Sequence, residues 1–291
     1  MIARRLGAVA AAALALALVA VGAKMVRVYR AAQAEFHLRP WSVGPLPGGL
    51  RGASAVAFPS RDGSVLRGWY VPPGGPATVV LLHGSEADRR QLLPEALALA
   101  DAGFGVLLFD WPGLGESGGK VTWSATERGA LQGALDWLER RAPGQRIGAL
   151  GFSCGASVLA TTAADDPRLR ALVLEATILD LDDEVTREYP GWGPVSFLAA
   201  RLGKRAGGWD AAAPKPLDAA LRLRALPLLI INGAADPVAP PSDAQRLFDA
   251  AATANKRLWI IPGAAHGGYA GVAPALYPRA LAAFFGDALL N

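Results

Sequence analysis

Apolar and amphipathic stretches alternate along most of the chain. From residue 78 onwards, six runs of six or seven residues are almost continuously apolar, which is typical of strands buried on both faces of a sheet. The segments between them repeat apolar residues at helical spacing. Alternating strands and helices form βαβ units, so the pattern predicts an α/β fold with a mostly parallel twisted sheet and helices on both faces. The predicted strands are 78–83, 105–110, 146–152, 170–176, 226–232 and 256–262.

Two intervals do not follow this alternation. Residues 53–72 contain two short strand-like stretches around an Arg-Asp-Gly turn at 61–63, which predicts an antiparallel hairpin. Residues 180–216, between the fourth and fifth apolar runs, are rich in Gly, Pro and aromatic residues. We interpret this interval as a small cap over one edge of the sheet. Its aromatic residues include Tyr189, Trp192, Phe197 and Trp209.

The N-terminal segment is apolar on every side. Residues 6–23 carry no charge, and as a helix they would span roughly 27 Å, close to the hydrocarbon thickness of a bilayer. Lys24, Arg27 and Arg30 follow directly, which favours an uncleaved single-pass membrane anchor. The alternatives are a signal peptide cleaved within 20–23, which would give a secreted or periplasmic protein, and a helix buried in a soluble core.

These features divide the chain into three parts. Residues 1–30 are predicted to be the membrane anchor or signal segment, 31–53 a linker or arm, and 54–291 one globular domain with the cap at about 180–216. A chain of 291 residues, 52% of them hydrophobic, can build one large core. The formal net charge of +4 comes without a long basic run, so we expect no nucleic-acid partner.

Two stretches of the chain fit the pattern G-x-S-x-G, which marks a serine nucleophile on a sharp turn. GESGG places Ser117 after a segment that is already turn-like. GFSCG places Ser153 between an apolar run and a helix-forming segment. Because the nucleophile turn needs a strand before it and a helix after it, we predict that Ser153 is the nucleophile and that Ser117 belongs to a loop.

A nucleophilic serine needs a base, and the chain has three histidines. His266 lies in a Gly-rich loop after the last predicted strand, His83 ends an earlier strand, and His37 lies in the arm. We prefer His266 because its loop can reach over the sheet edge. An acid must orient the imidazole. Asp236, which follows the fifth apolar run, is our candidate, and Glu175 is the alternative carboxylate.

The developing oxyanion needs two N–H donors. The backbone N–H of Cys154, the residue after the nucleophile, is one candidate, and that of Ser85 in the loop after the first apolar run is the other. Cys154 is the one cysteine of the chain, so no intrachain disulfide can form. We interpret its side chain as a small packing group. The residues imply no metal or organic cofactor.

Five motifs resemble those of the α/β-hydrolase superfamily: LLHGS, FDWPGLGESGG, GFSCG, GAADPVAP and GAAH, in this order across roughly residues 54–291. The order Ser153, Asp236, His266 is the nucleophile, acid and base order of that superfamily. The N-terminal apolar segment, the DxxGxGxSxG stretch and the small cap are similar, more narrowly, to membrane-anchored serine-aminopeptidase-like hydrolases. A serine at position 153 is unlike the aspartate nucleophile of dehalogenases and epoxide hydrolases.

The resemblance implies an α/β-hydrolase fold and a serine hydrolase that cleaves carboxylic esters through an acyl-enzyme. The same fold also carries peptidases and non-catalytic relatives. Peptide or amide hydrolysis of the serine aminopeptidase type, and a binding protein without catalysis, are therefore the alternatives. The expected partners are a small-molecule or lipid-like ester and, through residues 6–23, a membrane.

Overall fold

The apolar runs of the sequence form the strands of one central sheet. The computed structural model describes residues 2–189, 191 and 193–291, with side chains from residue 4 onwards. In that part of the chain the sheet has eight strands in the order β1-β2-β4-β3-β5-β6-β7-β8, which confirms the predicted fold class. The strands are β1 Ser54–Pro59, β2 Val65–Val71, β3 Ala77–Leu82, β4 Gly105–Phe109, β5 Arg146–Phe152, β6 Leu169–Glu175, β7 Leu228–Gly233 and β8 Lys256–Ile261.

Strand direction brings the loops that follow β3 to β8 to one edge of the sheet. These strands run parallel, whereas β2 is antiparallel to both β1 and β4. The predicted hairpin is correct, since β1 and β2 pair up to Pro59 and Val65 around the turn. Ligands of open parallel sheets gather at the carboxyl ends of the strands, so the parallel edge is where a site is expected.

Helices cover both faces of the sheet because their apolar sides match the continuously apolar strands. One face packs against α3, α4 and α8, and the other against α2 and α10. The helices are α1 Ile2–Ala34, α2 Leu93–Asp101, α3 Ala125–Arg141, α4 Cys154–Ala163, α5 Leu181–Glu188, α6 Pro194–Gly207, α7 Pro216–Ala220, α8 Pro241–Ala250, α9 Tyr269–Val272 and α10 Tyr277–Leu289.

The N-terminal helix is longer than its apolar run. α1 continues to Ala34, past the predicted boundary at residue 30, because residues 31–34 are three alanines and a glutamine, which favour helix. Among the described residues it is the one helix long and apolar enough to cross a membrane, and its apolar window is not buried against the domain. Its last turns pack on α6 through Val28 and Ala32. An N-terminal helix of this kind fits either a signal anchor or a signal peptide.

The arm that follows α1 lies on the globular domain. Val43 and Leu50 are each only 3% exposed, and the indole N–H of Trp41 donates to Asp88 Oδ2 over 2.8 Å. The arm therefore connects α1 to the sheet as a packed segment.

The interval 180–216 contains α5 and α6. Trp209, just after α6, is buried, and Tyr189 and Phe197 pack against the cluster formed by α1 and α6. Trp192, the fourth aromatic residue that the sequence indicated, lies outside the described residues. That this interval acts as a cap remains a prediction.

Candidate active site

Ser153 lies on a sharp turn between a strand and a helix. β5 ends at Phe152, α4 begins at Cys154, and Ser153 between them has φ 54° and ψ −122°. A positive φ is unfavourable for a residue with a Cβ, and such strain is often stored at functional sites. Gly155 permits the turn, because a Cβ there would lie 2.3 Å from the carbonyl oxygen of Leu82. The turn directs the side chain of Ser153, a residue that is only 4% exposed, toward the carboxyl ends of the parallel strands.

The three residues that the sequence singled out are joined by hydrogen bonds. The Oγ–H of Ser153 donates to His266 Nε2 over 3.0 Å, with the proton assigned to fit the network. The Nδ1–H of His266 donates to Asp236 Oδ2 over 2.8 Å. These side chains come from loops after β5, β7 and β8, which meet at the same edge. The arrangement can pass a proton from the hydroxyl to the imidazole while the carboxylate holds the ring.

Backbone groups hold the carboxylate in place. Oδ1 of Asp236 accepts the N–H groups of Val238 and Ala239, each over 2.9 Å, and its side chain is fully buried. The second oxygen is thereby left for His266. A carboxylate fixed in this way sets both the tautomer and the orientation of the imidazole.

The loop that carries His266 needs glycine beside it. Gly267 has φ 88°, a conformation that glycine adopts without strain, and a Cβ there would lie 2.8 Å from the ring of Phe152. The Phe152 ring packs against the imidazole with a centroid separation of 5.0 Å. Phe152 therefore packs against the imidazole of His266, a contact that sequence patterns did not indicate.

The two predicted oxyanion donors lie next to Ser153. The N–H of Cys154 is in the first turn of α4, where a helix offers no intrahelical acceptor. Gly84, which precedes Ser85, approaches so closely that a Cβ on it would lie 3.2 Å from the Cβ of Ser153. Ser85 itself is exposed. That these two N–H groups bind an oxyanion stays a prediction.

The Cys154 side chain is buried in the packed start of α4. Burial raises the pKa of its thiol, so the neutral form is favoured. This fits the interpretation as a packing group, since the thiolate is the reactive form of cysteine.

Ser117 lies in a buried loop, as expected. Its hydroxyl donates to the carbonyl oxygen of Asp110 over 2.7 Å and accepts the N–H of Arg67 over 2.9 Å. Asp110, at the end of β4, forms an ion pair with Arg89 at 2.5 Å, and both side chains are buried. This serine therefore ties a loop to the hairpin and has no base beside it in the described structure.

The remaining candidates are bound elsewhere. His83 is buried, and Nε2 of its ring accepts the N–H of Trp111 over 3.1 Å. Burial lowers the pKa of His83 to about 4. Glu175 accepts the hydroxyl of Tyr277 over 2.6 Å and does not contact the imidazole, while His37 is exposed at the end of α1. The structure thus joins Asp236, and not Glu175, to His266.

Two comparisons identify the family. The family model described as "alpha/beta hydrolase fold" matches residues 73–207. The uncharacterized protein MT2364 of Mycobacterium tuberculosis is 31% identical over 233 residues, which cover 77% of this chain and 77% of that protein. The chain belongs to the α/β-hydrolase superfamily. The uncharacterized protein YfhR of Salmonella typhimurium is similar to this α/β-hydrolase at 28% identity, covering 81% of the chain and 82% of YfhR.

Among solved structures, the Pyrococcus furiosus esterase Pf2001 has a similar fold. It matches with a TM-score of 0.73 at 23% identity, covering 86% of this α/β-hydrolase and 98% of the esterase. At this level of identity the match establishes the shared fold.

Two cavities of this α/β-hydrolase adjoin the hydrogen-bonded residues. One of about 340 Å³ is lined by Ser85 and by Val238, two positions after Asp236. The other, of about 60 Å³, is lined by Cys154 and by aromatic residues that include Trp209. Cavities therefore lie beside both Ser85 and Cys154, the two residues predicted to donate to an oxyanion. In the described residues no group of three or more His, Cys, Asp or Glu could hold a metal ion.

The larger cavity has a charged wall that the sequence patterns did not indicate. Lys204 on α6 is nearly fully buried, and its Nζ lies 2.6 Å from Glu35, 3.3 Å from Glu188 and 3.7 Å from Glu184. Burial lowers the pKa of this ammonium group, but the three carboxylates outweigh that effect and raise it. No local signal could reveal a cluster whose members lie up to 169 positions apart.

Proposed function

We propose that this α/β-hydrolase is a serine hydrolase that cleaves carboxylic esters. The observation that carries the proposal is the continuous hydrogen-bonded path from Ser153 through His266 to Asp236 at the carboxyl ends of the strands. Membership of the superfamily and the fold shared with an esterase add support. No step of the proposed reaction needs a metal or an organic cofactor.

The reaction follows from the positions of the protons. His266 Nε2 takes the proton of Ser153 Oγ as that oxygen bonds to the acyl carbon, and the negative charge moves to the carbonyl oxygen. The N–H groups of Ser85 and Cys154 are the proposed donors to this oxyanion. The imidazolium then gives its proton to the leaving alcohol as the ester bond breaks. His266 then removes a proton from a water molecule, whose oxygen bonds to the acyl carbon. As the bond between the acyl carbon and Ser153 Oγ breaks and the acid leaves, His266 returns the proton to Oγ.

The substrate and location follow from the surroundings of the site. The apolar lining by Trp209 and neighbouring aromatic residues favours a small-molecule or lipid-like ester. We propose that α1 spans the membrane through residues 6–23, since that part of the helix is apolar and uncovered. Cleavage of a signal peptide within 20–23 would leave a secreted or periplasmic enzyme instead.

Covalent labelling tests the proposal directly. We expect a fluorophosphonate probe to label the purified chain, and Ser153→Ala to abolish the labelling while Ser117→Ala, the matched control, retains it. Absence of labelling in a folded wild-type protein would contradict catalysis and favour a binding protein. A panel of p-nitrophenyl esters beside aminoacyl amides then separates ester hydrolysis from the peptidase alternative, because only the preferred class would show high kcat/KM.

A further inference from the structure

The outer face of α6 is apolar and uncovered. Leu198 and Leu202, on successive turns, are 50% and 46% exposed, and Arg205 continues the same face. The opposite face, which includes Ala200 and Gly203, packs against α1. Single exposed leucines are ordinary on protein surfaces, but here two lie on one stripe of a helix that is packed on a candidate membrane span.

The two helices run side by side in the same direction. A Cβ on Gly203 would lie 2.2 Å from the carbonyl oxygen of Tyr29 and 3.1 Å from Ala32, so the backbones nearly touch there. One turn further along α6, a Cβ on Gly207 would lie 2.7 Å from Phe36. Later residues of α6 therefore meet later residues of the N-terminal segment, and the first turn of α6 points toward the apolar end of α1.

This register gives the depth of the exposed leucines relative to a membrane. It sets Leu198 level with about residue 26 and Leu202 level with about residue 30 of α1. Because the uncharged run ends at Ala23, the two leucines lie about 5 Å and about 10 Å beyond the hydrocarbon edge at 1.5 Å per residue. The headgroup layer on each side of a bilayer is about 5–8 Å thick. Leu198 thus falls within that layer, and Leu202 lies just beyond it.

Basic residues lie at this depth and beyond it. Arg27 and Arg30 on α1 are exposed at about 6 Å and about 10 Å from the hydrocarbon edge, and Arg205 on α6, level with about residue 33, is exposed at about 15 Å. Guanidinium groups at this level can pair with lipid phosphates, and each basic residue near an anionic surface adds to the attraction. Leu198 nearest the hydrocarbon, with Arg27, Arg30 and Arg205 farther out, is the order expected of an element whose end lies in the headgroup layer.

We propose that the outer face of α6, defined by Leu198, Leu202 and Arg205, contacts an anionic lipid bilayer at its membrane-proximal end, with Leu198 docked in the headgroup layer. The inference rests on the proposed anchoring of α1. The docking bears on which substrates reach the site, because Glu35, directly after α1, lines the 340 Å³ cavity beside Ser85. Glu35 follows Ala23 by 12 residues, so an anchored α1 places that cavity about 18 Å from the hydrocarbon edge, and docking of α6 would keep it on the membrane side. Esters that partition into the membrane are then the substrates within easiest reach.

Depth-dependent quenching tests the docking. Cys154 is buried, so a new cysteine in the full-length chain takes a thiol-reactive fluorophore selectively. The three positions are Leu198→Cys, Leu14→Cys within the span, and the matched control Leu221→Cys, which is 57% exposed but precedes β7 and lies at the opposite edge of the sheet. The chain is reconstituted in phosphatidylcholine–phosphatidylglycerol vesicles that contain lipids with a nitroxide on the headgroup or at mid-chain.

We expect the headgroup nitroxide to quench the probe at 198 severalfold more than the probe at 221, and the mid-chain nitroxide to quench the probe at 14. The docking would be overturned, and the anchor left intact, if the probe at 14 were quenched from mid-chain while the probe at 198 were quenched no more than the one at 221. If neither nitroxide quenched any of the three probes, both the docking of α6 and the anchoring of α1 would be overturned.

Hydrolysis of two esters separates docking from catalysis. Leu198→Glu should lower the hydrolysis of a long-chain 4-methylumbelliferyl ester embedded in the vesicles about fivefold, since an apolar contact with lipid is replaced by a charge. Hydrolysis of p-nitrophenyl acetate in solution should not change, and Leu221→Glu should change neither rate. Equal loss on both esters would refute the docking. A wild type that cleaves neither ester would contradict the proposed function, while the quenching still decides the docking.

Discussion

Ser117 and Ser153 occupy the same position in a G-x-S-x-G pattern, yet their hydroxyl groups have different surroundings. Ser117 is buried, and its hydroxyl bonds to the backbone of Asp110 and Arg67. Ser153 has a positive φ, and its hydroxyl reaches the imidazole of His266. Within the part of the chain that the structure describes, the Ser117 hydroxyl bonds only to backbone groups, whereas the Ser153 hydroxyl is directed at an imidazole.

The difference originates in what flanks each pattern. A strand runs directly into Ser153 and a helix leaves it, so the turn must be sharp and the side chain projects from the sheet edge. Ser117 instead lies in a loop between β4 and α3, where glycines let the chain fold back on itself. The five-residue pattern therefore indicates a close turn, and the elements on either side decide whether that turn presents a nucleophile.

Replacement of the two serines gives the largest expected contrast. Ser153→Ala should lower kcat for a p-nitrophenyl ester by at least about 1000-fold, because no acyl-enzyme can form. The free energy of unfolding should change little, since among the described residues the hydroxyl bonds to His266 and not to the backbone of a neighbouring segment. Steady-state kinetics together with urea unfolding check both statements. A variant that keeps more than a small fraction of the activity would refute the role of Ser153.

Replacement of Asp236, the proposed acid, tests the surroundings of Ser153 next. Asp236→Asn should reduce kcat by about 100-fold to 10,000-fold, because an amide cannot stabilise the imidazolium and favours the wrong tautomer. Glu175→Gln serves as the control, since Glu175 contacts Tyr277 and not His266. If Glu175→Gln lowered kcat as much as Asp236→Asn, the assignment of the acid would be wrong.

Glycine replacements compare the two turns themselves. A Cβ at Gly155 would lie 2.3 Å from the carbonyl oxygen of Leu82, so Gly155→Ala should destabilise the fold by about 3 kcal/mol. The matched control is Gly118→Ala, where the nearest atom is 3.6 Å away and the cost should stay below about 1 kcal/mol. Urea unfolding of both variants measures the difference. Equal costs would mean that the nucleophile turn tolerates side chains that its geometry excludes.

Several features of the fold and site could be predicted from the sequence because their causes are local. Continuous apolar runs gave the strands, and the strand-to-helix context separated Ser153 from Ser117. Asp236 and His266 follow strands whose parallel direction brings their ends together. The lysine and carboxylate cluster around Lys204, and the packing of α1 on α6, depend on contacts between distant segments. Such contacts leave no periodicity or motif in the chain.

Ser117→Ala should lower the free energy of unfolding and leave catalytic turnover unchanged. The hydroxyl links the Asp110 carbonyl group and the Arg67 N–H in the interior, so its removal should cost about 1–3 kcal/mol of unfolding free energy. Turnover per folded molecule should equal that of the wild type. Active-site titration with the fluorophosphonate probe corrects for unfolded protein. A selective loss of kcat at full folding would show that this loop contributes to catalysis.

The smallest expected effect concerns the pH dependence of stability. The carbonyl oxygen of Glu175 accepts the N–H of Ser153 over 2.8 Å, and its side chain is buried beside Glu95 and Tyr277. Burial, and next the nearby Glu95 carboxylate, raise the pKa of Glu175 well above its ordinary value of 4.5. In the unfolded chain this group ionises first. The folded state then holds more protons, so unfolding free energy falls as the pH rises from 4.5 toward the raised pKa.

Glu175→Gln should flatten this decline, because the amide carbonyl oxygen still accepts the Tyr277 hydroxyl and no charge has to be suppressed. Urea unfolding between about pH 5 and pH 8 measures the slope. The control Glu139→Gln, at a side chain that is 56% exposed on α3, should leave it unchanged. An unaltered slope in Glu175→Gln would mean that the Glu175 carboxyl group is already ionised in the folded protein. In that case the residue whose carbonyl oxygen accepts the Ser153 N–H would carry a buried charge. The hydrogen bonds of the Ser117 hydroxyl involve neutral backbone groups, so the two turns would differ in this respect too.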